Sequence, residues 1–235
     1  IAAYANAATL AVQAGFDGVE IHGANGYLLQ QFVSAQTNRR TDEWGGSLQN
    51  RLRFPLAVVD AVAAAVKAHA KPDFILGYRF SPEESGETGI TMADTFVLID
   101  ELVRKPLQYL HVSLWDFYKH ARRGADTNRT RMELLHERIA GRLPLIGVGN
   151  LYTGSDIAKA FDTGWAEFIA LGKTVMINPD LADLLRENRD TDIQTDLDPA
   201  RADHYRLPDA LWQRCLTNSP WLPPVKGMER QIVDI

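Results

Sequence analysis

Five short apolar runs, each closed by glycine or polar residues, constrain the fold of this chain more than any other feature. They end near Ile21, Phe80, Val112, Val148 and Leu171. The segments between them carry helical spacing instead. Residues 48–70 place Leu52, Leu56, Val59, Val62 and Val66 on one face behind Ser47, a natural cap. Helices are also expected over residues 1–14, 93–103 (begun near Thr91), 127–139, 155–161 (capped by Thr153 or Ser155) and 180–186, where Pro179 opens the turn. Strands alternating with helices imply right-handed βαβ units and a parallel sheet. Five strands suffice for a doubly wound sheet, whereas a closed barrel of this type needs eight.

Composition narrows the function classes. The formal net charge of the 235 residues is -5 and no long basic run occurs, which makes nucleic acid a poor partner. A single cysteine, Cys215, excludes an internal disulfide and suits a reducing compartment, so a cytoplasmic location is expected. One thiol also cannot hold an iron–sulfur cluster, and no metal site is expected. No apolar run is long enough for a membrane span. Residues after about Asn188 are polar and then rich in Pro and Trp. The chain therefore divides into a main body, 1–188, and an extension, 189–235, expected to pack on it.

Three constellations carry chemistry. In Val19-Glu20-Ile21-His22-Gly23-Ala24-Asn25-Gly26-Tyr27, a strand ends in three side chains that can donate hydrogen bonds, spaced by glycines. Polar groups at a strand's C-terminal end are where chemistry sits in an α/β barrel, although the same residues could serve only to satisfy a turn. Gly149-Asn150 and Gly172-Lys173 close two successive strands, an arrangement suited either to a phosphate cradle or to tight packing. Arg79 lies inside an apolar strand, so it either pairs internally, with Glu20 a candidate partner, or faces a ligand. The loop Asn38–Ser47 reads as a structural tie.

These segments, in order, resemble the Old Yellow Enzyme family of flavin-dependent ene-reductases. The resemblance runs from about Tyr4 to Arg186. It rests on residues 14–28, on Asn38-Arg39-Arg40-Thr41-Asp42-Glu43-Trp44-Gly45-Gly46-Ser47-Leu48-Gln49-Asn50-Arg51, on Tyr78-Arg79-Phe80-Ser81, on Ile146-Gly147-Val148-Gly149-Asn150 and on Ala170-Leu171-Gly172-Lys173. It implies a (β/α)8 TIM barrel of the FMN-linked oxidoreductase type, of which this chain supplies about the last five βα units. It implies FMN as cofactor, NAD(P)H as reductant and an enone or enal as substrate. His22 and Asn25 would bind the substrate carbonyl and Tyr27 would donate the proton. Arg79 would lie against the flavin, and Gly149, Asn150, Gly172 and Lys173 would bind its phosphate. Lys173 stands where the family commonly has arginine, which loses bidentate geometry. The resemblance places about three further strands ahead of Ile1, so this stretch by itself is expected not to be a competent enzyme. The alternatives are a flavin-free phosphate-binding lyase or isomerase barrel, and a non-catalytic half-barrel. A homo-oligomer is compatible with each.

Overall fold

The computed structural model describes residues 1–229. In chain order its main elements are α1 (Ala2–Gln13), β1 (Gly18–Gly23), α2 (Leu28–Val33), α3 (Leu48–His69), β2 (Ile75–Phe80), α4 (Met92–Leu102), β3 (Tyr109–Val112), α5 (Arg131–Ile139), β4 (Leu145–Val148), α6 (Gly154–Asp162), β5 (Phe168–Ala170), α7 (Lys173–Ile177) and α8 (Leu181–Arg186). Among the described residues, the strands form one five-stranded sheet in sequence order, β1-β2-β3-β4-β5. The pairings β1–β2, β2–β3 and β3–β4 are parallel. This is the strand order of consecutive βα units in a barrel.

The chain folds into two compact units. The first comprises Ile1–Leu114, Tyr118–Gly147 and Trp165–Phe168. Its strands bury one face: Ile21, Tyr78, Phe80, Leu110 and Val112 are all at most 4% exposed. Residues alternate across a strand, so Glu20 and His22, Gly77 and Arg79, and Tyr109 and His111 share the opposite face. Register sets them in two rows, Glu20–Gly77–Tyr109 and His22–Arg79–His111. The first row has a gap, because a Cβ on Gly77 would lie 2.1 Å from the Tyr109 ring. Tyr109 therefore lies over β2 and reaches toward β1.

Helix starts follow their caps. Ser47 accepts from the Asn50 amide at the start of α3, and Thr91 and Asp94 form a reciprocal capping box on α4. The expected helix over 127–139 is shorter than its composition suggests. Thr130 caps α5 through the Glu133 amide and forms an antiparallel bridge with His120, while residues 127–129 make a turn in place of the helix. Helix α2 has no counterpart in the sequence pattern, since six residues are too few to display a period.

Within this unit, Glu83 forms a buried knot. Its carboxylate accepts from Arg131 Nε at 2.6 Å and from the backbone amides of Arg122 and Arg123. The Glu83 and Arg131 side chains are almost wholly excluded from solvent.

The second unit comprises Trp115–Phe117, Val148–Gly164 and Ile169–Ile235. Its core joins Tyr152, Ile177, Leu197, Tyr205 and Cys215, with Leu211, Trp212 and Leu222 packed against them. Thr153 and Asp156 cap α6 reciprocally. The last described helices are α9 (Ala202–Tyr205) and α10 (Asp209–Cys215). No helix among the described residues is long and apolar enough to cross a membrane.

Candidate active site

In the first unit, the end of β1 turns back through two successive left-handed residues, Asn25 (φ 57) and Gly26 (φ 73). Such a turn needs support, because a non-glycine residue there is disfavoured. The Asn25 amide donates to Ser81 Oγ at 2.9 Å and the Gly26 amide to Gln30 Oε1 at 3.0 Å. Gln30 in turn donates to Glu84 at 2.7 Å.

The side chains converge on one chain of hydrogen bonds. Arg79 Nη2 donates to Ser113 Oγ at 3.0 Å, and Ser113 Oγ donates to Asn25 Oδ1 at 2.6 Å. With its oxygen occupied, Asn25 presents Nδ2 as a donor. The His22 and Tyr27 rings sit 5.4 Å apart, tilted by 56°, and Tyr27 is 64% exposed. Burial, reinforced by the positive charge of Arg79, lowers the His22 pKa below the usual imidazole value. At neutral pH His22 is therefore an uncharged single N–H donor. The fold thus brings His22, Asn25, Tyr27 and Arg79 to one end of the sheet.

The Arg79–Glu20 ion pair does not form. Glu20 accepts instead from His111 Nδ1 at 2.9 Å, and the Tyr109 hydroxyl also favours its charged form. Arg79 Nε is buried with no hydrogen-bond partner, as is His111 Nε2. Desolvation raises the Glu20 carboxyl, but the hydrogen bond and charge of His111, the Tyr109 hydroxyl and the charge of Arg79 bring it below the ordinary carboxylate range. Ser81, Ser113 and His111 complete the cluster. The sequence singles out Ser113 only as a strand end, and the alternation His111-Val112-Ser113 is the available signal for the pair.

The second unit holds the two glycine turns. Gly149 adopts φ 135, and a Cβ there would lie 2.6 Å from the Phe117 amide nitrogen. Only glycine allows residues 116–117 to lie this close. Asn150 follows in the left-handed region with φ 49. A Cβ on Gly172 would meet nothing within 4 Å, so that turn opens onto free space. Lys173 Nζ donates to the Pro220 carbonyl at 2.6 Å and lies 4.8 Å from the centre of the Trp115 ring. Trp221 packs edge-on against Trp115 at 4.6 Å. No cluster of potential metal ligands occurs among the described residues.

A sequence model of the NADH:flavin oxidoreductase / NADH oxidase family matches residues 1–192. The probable NADH-dependent flavin oxidoreductase YqiG of Bacillus subtilis (strain 168) is 46% identical over 223 residues, covering 95% of this chain and 60% of that protein. A probable flavin mononucleotide-dependent alkene reductase of Leishmania infantum is 38% identical over 183 residues, covering 76% of this chain and 46% of that protein. Among solved structures, morphinone reductase superposes with a TM-score of 0.61 at 35% identity, covering 79% of this chain and 47% of that one. The chain thus spans less than two thirds of each of these relatives.

Proposed function

Because the chain belongs to the NADH:flavin oxidoreductase / NADH oxidase family, we propose that its protein is an FMN-dependent ene-reductase that oxidises NADH or NADPH and reduces the alkene of an α,β-unsaturated carbonyl compound. The observation that carries this reading is the fixed donor set at the end of β1. Ser113 occupies the Asn25 oxygen at 2.6 Å and so turns the amide nitrogen outward, beside an uncharged His22.

The residues present fit FMN. Arg79 carries a buried, unpartnered Nε–H, a donor suited to the electron-rich edge of a flavin ring. Gly172 faces open space, as close approach of a phosphate requires. Arg79 would bind the ring, while Gly149, Asn150, Gly172 and Lys173 would bind the phosphate. Bound FMN would supply the hydride that adds to the substrate β-carbon.

The chain's own groups do the rest. His22 and Asn25 Nδ2 donate to the carbonyl oxygen and stabilise the negative charge that collects there as the alkene is reduced. Tyr27, exposed at the N-terminal end of α2, delivers a proton to the α-carbon. We assign residues 1–188 to the barrel and 189–235 to an extension of it. The test is anaerobic absorption spectroscopy of the purified protein with NADH and NADPH, followed by an enone. Flavin bands that bleach with nicotinamide and return with enone support the reading; a protein that stays colourless with added FMN overturns it. Tyr27→Phe should slow the reoxidation by enone and spare the reduction by nicotinamide.

A further inference from the structure

Arg79 poses an electrostatic question that the proposed reaction leaves open. It is a cation in the middle of a sheet, its Nε is buried without a partner, and its Nη2 donates to a neutral hydroxyl, that of Ser113. A half-buried guanidinium is expected to capture a carboxylate where one is within reach. One is within reach: Glu20 lies one row below on the neighbouring strand and on the same face, since Glu20 pairs with Gly77 and His22 with Arg79. The charge of Arg79 already acts on Glu20.

Glu20 is engaged elsewhere. His111, the β3 neighbour of Arg79 in the same row, meets its carboxylate through Nδ1 at 2.9 Å. Tyr109 reaches it across the gap at Gly77. A β3 imidazole thus holds a β1 carboxylate from beyond β2, the strand that carries Arg79.

We infer that His111 is a positioning residue whose role is to hold Glu20 away from Arg79, so that the guanidinium keeps its positive charge and its free Nε–H for a ligand. This rests on the assignment of Arg79 to the FMN ring. The Nδ1 hydrogen of His111 goes to Glu20 and Nε2 is buried without a partner, so the imidazole is spent on the carboxylate. Gly77 belongs to the same device, since any side chain there would displace Tyr109.

The test is a two-residue cycle in the full-length protein. In His111→Phe, which keeps a ring but offers no hydrogen, Glu20 should turn to Arg79. FMN affinity should fall roughly tenfold and the flavin midpoint potential should drop, because an anionic reduced ring then meets a neutralised guanidinium. Adding Glu20→Gln to His111→Phe should restore both to within about twofold of the unmodified protein, and Glu20→Gln alone should leave FMN affinity unchanged or higher. A crystal structure of His111→Phe should show the Glu20 carboxylate hydrogen-bonded to Arg79, a readout that does not require flavin. The inference is overturned if the double variant is worse than His111→Phe, as purely structural losses would be, or if the carboxylate stays away from Arg79. A protein that binds no FMN would instead refute the proposed function, and the carboxylate position would then decide the inference by itself.

Discussion

Ser113 fixes the orientation of Asn25: its hydroxyl donates to Asn25 Oδ1 at 2.6 Å while accepting from Arg79 Nη2 at 3.0 Å. One hydroxyl therefore determines which end of an amide faces a ligand. Ser113→Ala frees that amide to flip. A hydrogen bond of this kind contributes about 0.5–1.5 kcal/mol net, so affinity for a carbonyl ligand should weaken by roughly twofold to tenfold. Ligand titration checks this; an unchanged affinity would show that the amide is held by other means.

The two glycines proposed to bind phosphate should respond differently to alanine. Gly149→Ala meets backbone at 2.6 Å and a φ of 135, so a loss of about 1–3 kcal/mol is expected. Gly172→Ala meets nothing within 4 Å, so folding stability should change little while FMN affinity falls. Denaturant melts paired with FMN titration separate the two effects. Equal stability losses would contradict the geometry.

Protonation couples to stability through His22 and Glu20. His22 has a lowered pKa in the folded chain, so its contribution is complete above the unfolded imidazole value, about 6.5, and is lost as pH falls through the folded value. Glu20 is also lowered, so its contribution is complete above the unfolded carboxylate value, about 4.3, and vanishes at lower pH. Stability should therefore decline in two steps on acidification. His22→Gln should remove the upper step. Melting temperatures measured from pH 2 to pH 8 test the sign.

Glu83 and Arg131 form the pair whose separation should cost most. Glu83→Gln leaves a buried guanidinium facing a neutral amide, and Arg131→Met deprives a buried carboxylate of its cation while the Arg122 and Arg123 amides stay in place. Each single change should cost about 3–5 kcal/mol, and the double change less than their sum. Urea midpoints across the double-mutant cycle check this.

Much of this architecture is legible from local pattern. The strands at Tyr109–Val112 and Leu145–Val148 and the caps at Ser47 and Thr153 follow from short-range chemistry, and the structure has them where the pattern places them. The donors His22, Asn25 and Tyr27 are close in sequence, so one turn is enough to gather them. What stays hidden is the choice among distant partners. Arg79 and Glu20 carry opposite charges, and nothing between them in sequence reveals that His111, 91 residues beyond Glu20, takes the carboxylate. The placing of the Tyr109 ring over Gly77 likewise emerges only when three strands are set in register.

Lys173 holds the Pro220 carbonyl while resting on the Trp115 ring, with Trp221 against the same indole. An ammonium has three hydrogens to give, and each one spent on a new acceptor alters the environment of two fluorophores. If a phosphate group binds at this lysine, as proposed, its arrival should be visible as a change in indole emission, with no label added.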